Sequence, residues 1–266
     1  MSVWIRLLSR FAIDDGIAIT HVMTVAVFFL SVFFTAVLSA IFGMAGGLIL
    51  MAVLVTLFPV AQAMVMHGLI QSVSNGSRAF FLRDYILWRS LILFAFGSLI
   101  AFAALAFVSI SVNRPVVMVL LGLVAFSVWL PKAWFDPDPI QLRGGVICGF
   151  IITGLNIVAG VSGPLLDVFF QNLDVDRRAI VATKAATQVL SHMAKVGFYI
   201  GAVLAMDTGP MLWMVGLAVP LSILGTRMGG IVLHRMSDAT FRNWTKWIVT
   251  GLGVIFLVRG IVLLTG

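Results

Sequence analysis

K-A-A-T-Q-V-L-S-H-M-A-K, residues 184–195, is a polar-striped segment inside an otherwise apolar run. Lys184, Gln188, Ser191, His192 and Lys195 recur at helical spacing and share a face about 100° wide, with Ala, Val, Leu and Met elsewhere. Such a face cannot meet lipid. A Lys near the middle of a bilayer costs roughly 2.5 to 3.5 kcal/mol even on the lenient insertion scale, so it is expected to face a bundle interior or a watery cavity.

The pattern occurs twice. His67, Gln71, Ser74, Asn75 and Arg78 repeat the spacing of the second set at a constant offset of 117 residues. The same offset aligns Gly43-Met44-Ala45-Gly46-Gly47 with Gly160-Val161-Ser162-Gly163-Pro164. Few of these positions are identities. What recurs is an order of chemistry: a glycine break, a short apolar segment, then a helix with one basic and amide-lined face.

The whole chain bounds the class. Its 266 residues are 61% hydrophobic and 10% charged, with a mean hydropathy of +1.14, the composition of an integral membrane protein. The single Cys148 excludes an intrachain disulfide, and no Cys/His spacing marks a zinc site. The net charge of +7 lies in short loops without a basic run, so it reads as an orientation signal and not as a nucleic-acid surface.

Apolar segments fall at about 23–42, 46–58, 60–82, 90–110, 115–131, 144–159, 163–172, 177–204, 210–233 and 243–264. The fold expected is all-α and polytopic, with about 8–10 transmembrane segments in two inverted repeats: 23–131 and 144–266, joined by a proline-rich loop at 132–143. Segments 46–58 and 163–172 are too short for a hydrocarbon core of about 30 Å. Broken helices at matching places in two halves point to a transport site near the midplane.

Residues 1–22 read as an interfacial segment, not a cleavable signal peptide: Trp4, Leu7, Leu8 and Phe11 lie opposite Arg6, Ser9 and Arg10. Arg83, Arg89, Lys132, Arg143, Arg177, Arg178, Arg235, Arg242 and Lys246 mark loops expected to be cytoplasmic. If all ten segments cross, both termini lie outside. Gly225 and Gly229 suit close helix packing.

The helix starts after the two breaks carry free N–H groups and the positive dipole end, a ready anion site. Candidate binding groups are Gly46, Gly47, Ser162, Gly163 and Asn156, with Lys184, Gln188, His67 and Gln71 on the polar faces. Inversion would place His67 and Lys184 at similar depth, on opposite sides of the axis. Arg78, Lys195, Ser74, Ser191 and His192 are candidates for a gate or vestibule. The bland alternatives are packing glycines and, for Arg78, snorkelling to the headgroups. Asp167, which has Leu50 at its counterpart position, is either a proton carrier or a structural ion-pair partner of Lys184. An enzyme would need clustered His and carboxylates or a nucleophile with its base, and the four His are dispersed. An assembly protein without transport offers no reason for two basic internal faces.

The stretches G-M-A-G-G-L-I-L (43–50), G-L-N-I-V-A-G-V-S-G-P-L-L (154–166) and T-K-A-A-T-Q-V-L-S-H-M-A-K-V-G-F-Y-I-G (183–201) resemble the TauE/SafE family of sulfite and organosulfonate exporters, over nearly the whole chain after residue 22. The resemblance implies a multi-pass secondary transporter of the bacterial inner membrane. It would export a small anion, sulfite or a short organosulfonate such as sulfoacetate, by alternating access, without cofactor, metal or nucleic-acid partner. The sulfur assignment comes from the family and from no residue here. His67, standing where the second half has Lys184, would make the site asymmetric and its binding dependent on pH. The competing expectation is an importer or channel for a small carboxylate or other inorganic anion.

Overall fold

The computed structural model describes residues 22–41, 45–108, 113–130, 138–170, 172–206, 209–233 and 238–265. Within them the chain is all-α, with no strand. Helices α1 (Val22–Ile41), α2 (Ala45–Leu57), α3 (Val60–Phe81), α4 (Trp88–Phe107) and α5 (Arg114–Ala125) are followed by α6 (Leu142–Ala159), α7 (Gly163–Phe170), α8 (Arg177–Leu204), α9 (Gly209–Leu233) and α10 (Asp238–Thr265). Each apolar segment expected from sequence corresponds to one of them, with ends moved by a few residues. The interfacial segment up to residue 21, the break residues Gly43 and Met44, and residues 132–137 of the connecting loop lie outside the described residues.

Local chemistry sets several ends. Asn113 caps α5, its side chain accepting the Val116 N–H at 3.1 Å, and Pro115 occupies the first turn, where its missing N–H has no cost. Asp176 caps α8 by accepting the Arg178 N–H at 2.7 Å. Helix α6 ends on Gly160, which adopts the left-handed region at φ 82°.

Five helices are long and apolar enough to cross a bilayer by length and composition: α1, α4, α6 and the stretches Trp213–Ile231 of α9 and Lys246–Thr265 of α10. Helices α3 and α8 have the length, 22 and 28 residues, but their polar faces dilute the apolar character. Those faces are turned inward: His67, Ser191 and Lys195 have no exposed surface, and Ser74, Asn75, Gln188 and His192 are buried too. Ile92, Phe96 and Leu99 of α4 point the other way, into the lipid-facing surface. With 13 and 8 residues, α2 and α7 reach only about 20 and 12 Å at the helical rise, short of a crossing.

Helices α3 and α8 form the central pair, α4 packs on α6, and α5 on α10. Numbers rise along α3 as they fall along α8: His67 meets Lys195, while Gly76 faces Val189. The pair is therefore antiparallel. Gly225 and Gly229 of α9 lie directly on the α1 backbone at Phe33 and Val37, as their spacing suggested. Trp213, nearer the start of α9, stacks on Phe29 of α1 with centroids 5.9 Å apart. Pro220 stands between these two contacts, inside α9.

Candidate functional site

Between α3, α8 and the starts of α2 and α7 lies a cavity of about 20 Å³, room for one or two water-sized groups. The first half supplies Gly47 from the start of α2 and His67, Gln71, Ser74, Asn75 and Arg78 from α3. The second supplies Val161, Ser162 and Gly163 from the break before α7, and Gln188 and His192 from α8. Both helix starts thus border one space. Gln71 and Gln188, 117 residues apart, face it together. A Cβ on Gly47 would lie 2.5 Å from Gln71 Nε2, so the glycine admits the amide to the helix start.

Ser39 of α1 and Asn75 also line the cavity without having been singled out as ligands. The repeat offered the missing signal for Ser39, because it stands 117 residues before Asn156. Gly46 lies on a smaller crevice beside Thr35 and Ser39. Asn156 is fully buried behind the wall. Its Nδ2 donates to Ser191 Oγ at 2.9 Å and lies 3.1 Å from His192 Nδ1.

The cations sit at two ends of the α3–α8 crossing. At one end Lys195 Nζ is 2.8 Å from His67 Nδ1 and donates to the Gly160 carbonyl at 2.8 Å. His67 Nε2 is 3.0 Å from the Gly47 carbonyl. A carbonyl only accepts, so Nε2 carries the hydrogen and Nδ1 faces Lys195. The rings of His67 and His192 stand edge to face with centroids 5.4 Å apart. An ammonium here, with no carboxylate partner among the described residues, carries a desolvation cost of several kcal/mol unless something compensates it. At the other end Lys184 Nζ pairs with Asp167 Oδ1, and Arg78 is near enough to repel Lys184. The Lys184 side chain is 19% exposed and that of Asp167 45%.

Two placements differ from expectation. His67 and Lys184 do not share a depth: His67 lies beside Lys195 and Lys184 near Arg78, because antiparallel packing sends equivalent positions to opposite ends. Lys195, expected toward the rim, is buried without any exposed surface.

The family described as Sulfite exporter TauE/SafE matches residues 28–256. The chain belongs to the TauE/SafE family. That match runs from α1 into α10, so every wall of the cavity lies inside the TauE/SafE region. No curated protein and no solved structure matches the chain. TauE/SafE members are transporters and not enzymes, and the long apolar helices make this member a multi-pass membrane protein.

In this TauE/SafE member the Gly160 carbonyl accepts from the buried Lys195. A Cβ there would be strained at φ 82° and would meet Met51 Cε at 2.7 Å. Gly160→Ala is expected to destabilise the protein by about 1 to 2 kcal/mol from the left-handed backbone alone, read as a lower melting temperature in detergent. An unchanged melting temperature would remove Gly160 as a constraint.

Proposed function

We propose that the protein moves a small oxyanion, sulfite or a short organosulfonate such as sulfoacetate, out across the bacterial inner membrane by alternating access. The observation that carries this reading is the cavity wall, where Arg78, Gln71 and Gln188 meet the starts of two broken helices. Oriented amides, a guanidinium and free helix N–H groups all donate, and a compact oxyanion accepts at each oxygen. The reciprocal contacts of α3 and α8, His67 with Lys195 and Arg78 near Lys184, are what an inverted repeat would produce with halves at 23–131 and 144–266.

The Arg78–Lys184 end adjoins the α3–α4 connection with Arg83 and the first turns of α4 and α8 with Arg89, Arg177 and Arg178, so it faces the cytoplasm under the positive-inside rule. Asp167 is part-exposed at that end. The membrane potential favours outward movement of an anion by roughly 2.3 kcal/mol per charge per 100 mV.

The test is calorimetry and thermal shift on purified protein with sulfite, sulfoacetate, acetate and chloride, followed by flux into proteoliposomes. Sulfite or sulfoacetate should bind, and flux should saturate and exchange. Acetate binding alone would favour a carboxylate carrier. Unsaturated electrogenic flux would mean a channel.

Lys184 acts here through its charge and through neutralising Asp167, since the pair stands off the cavity. Lys184→Ala should weaken sulfite binding by on the order of tenfold, because one positive charge near the cavity is lost and Asp167 is left unpaired. Asp167→Asn should strengthen binding by a similar factor, and the double variant should return to within about threefold of wild type. A double variant as weak as Lys184→Ala would instead make Lys184 a direct ligand.

A further inference from the structure

Lys195 is buried without exposed surface, yet every group that faces it is neutral or cationic. On α3 this is His67, and on α8 His192 and Tyr199, whose hydroxyl donates to the Ile157 carbonyl at 3.0 Å. Helix α2 contributes no titratable side chain. Those of α6 are Arg143 and Cys148, the nearer twelve residues before Gly160, about 18 Å along the helix. Helix α4 presents Phe102 to Gly197 of α8 and has only Arg89 in its first turn. Asp167 of α7 belongs to Lys184 at the opposite end. A resident counter-charge is missing among the described residues.

The hydrogen bonds leave room for one more proton. With His67 Nε2–H donating to Gly47, a Lys195 amine satisfies Gly160 O and His67 Nδ1 with its two hydrogens. An added proton rests on Lys195 as the ammonium, or on His67 Nδ1 with the amine accepting. No heavy atom has to move. His67 also lines the cavity, so this proton is one imidazole ring away from whatever fills it.

A dianion in the cavity is met by Arg78 with one charge, and Lys184 is already matched by Asp167. The second charge has one built place to sit. The geometry points to a proton as co-substrate: each anion is bound together with one proton, held by the Lys195–His67 pair and released with it. The proton comes from water on the side of entry and returns to water on the side of release, so nothing is oxidised or reduced. Anion and proton each favour the other's binding by the same factor, as reciprocity requires. The inference rests on the anion reading above.

Calorimetric titration of the purified protein with sulfoacetate and with sulfite, in triethanolamine and in Tris, cationic buffers of different ionisation heat that do not compete for an anion site, tests it. Sulfoacetate exchanges no proton of its own between about pH 7 and 8, and sulfite's own exchange is subtracted. Wild type should take up about one proton per anion, read from the dependence of the apparent heat on buffer. Lys195→Met should lower uptake to near zero, and His67→Gln should at least halve it. Binding to wild type without proton uptake overturns the inference whether or not the variants fold. Uptake unchanged in both variants also overturns it, by placing the proton elsewhere. Failure of both anions to bind wild type overturns the anion reading instead.

Discussion

Gly149→Leu is expected to lower the melting temperature in detergent by at least about 6 to 12 °C. Gly149 of α6 and Gly97 of α4 meet across one seam: a Cβ on Gly149 would collide with the Phe94 carbonyl, and one on Gly97 with the Val146 carbonyl while lying 2.8 Å from Phe150 N. The obstacles are backbone atoms of a neighbouring helix, which no rotamer change can clear. Ser98 Oγ and Thr153 Oγ1, 2.7 Å apart, bridge the same seam, so separating the helices to admit Leu also breaks a buried hydrogen bond. Overpacking of this kind costs about 3 kcal/mol or more, and each kcal/mol moves the transition by about 2 to 4 °C in a chain of roughly this length. Gly154→Ala, five residues further along α6, is the control: its added carbon meets nothing within 4 Å and should change the transition little. Equal losses from both substitutions would overturn the seam as the cause, since helix propensity by itself favours Ala and Leu over Gly.

Arg78→Gln should weaken sulfite binding about a hundredfold by calorimetry, the largest loss expected from a cavity residue. Arg78 lines the cavity directly, and a hydrogen bond to a charged group contributes about 1.5 to 3 kcal/mol. Gln keeps donors but loses the charge and the forked geometry that match two oxygens of one anion. Arg78→Lys should recover part of the loss. If Arg78→Gln binds as well as wild type, the guanidinium is engaged elsewhere and the cavity is not the anion site.

Much of this architecture was legible in the sequence because a bilayer imposes lengths. Segments too short to cross, each behind glycines, announced α2 and α7. The spacing of His67, Gln71, Ser74 and Arg78 announced a buried face. Depth was not legible. Counting along α8 tells which side Lys184 and Lys195 share, but only the antiparallel partner decides that Lys195 lies behind His67 and Lys184 toward Asp167. Ser39 went unnoticed because a lone Ser in an apolar helix has no periodic signature, and only its register with Asn156 distinguishes it. The pairing of Asp167 with Lys184 was one of two roles the sequence left open for that carboxylate; spacing could not choose between them, and the structure brings the two side chains together from α7 and α8.

Pro220 carries a consequence for slow opening of the backbone. Its ring removes the hydrogen bond that Gly216 O would otherwise receive within α9, and a Cβ at Gly216 would meet nothing within 4 Å. Trp213 is held on one side of this point and Gly225 on the other, so the helix is pinned at both ends and weakest between them. In deuterated detergent solution, amides around Gly216 to Leu221 should therefore exchange well before those of α3 and α8, whose buried faces tie their backbones into the centre of the protein.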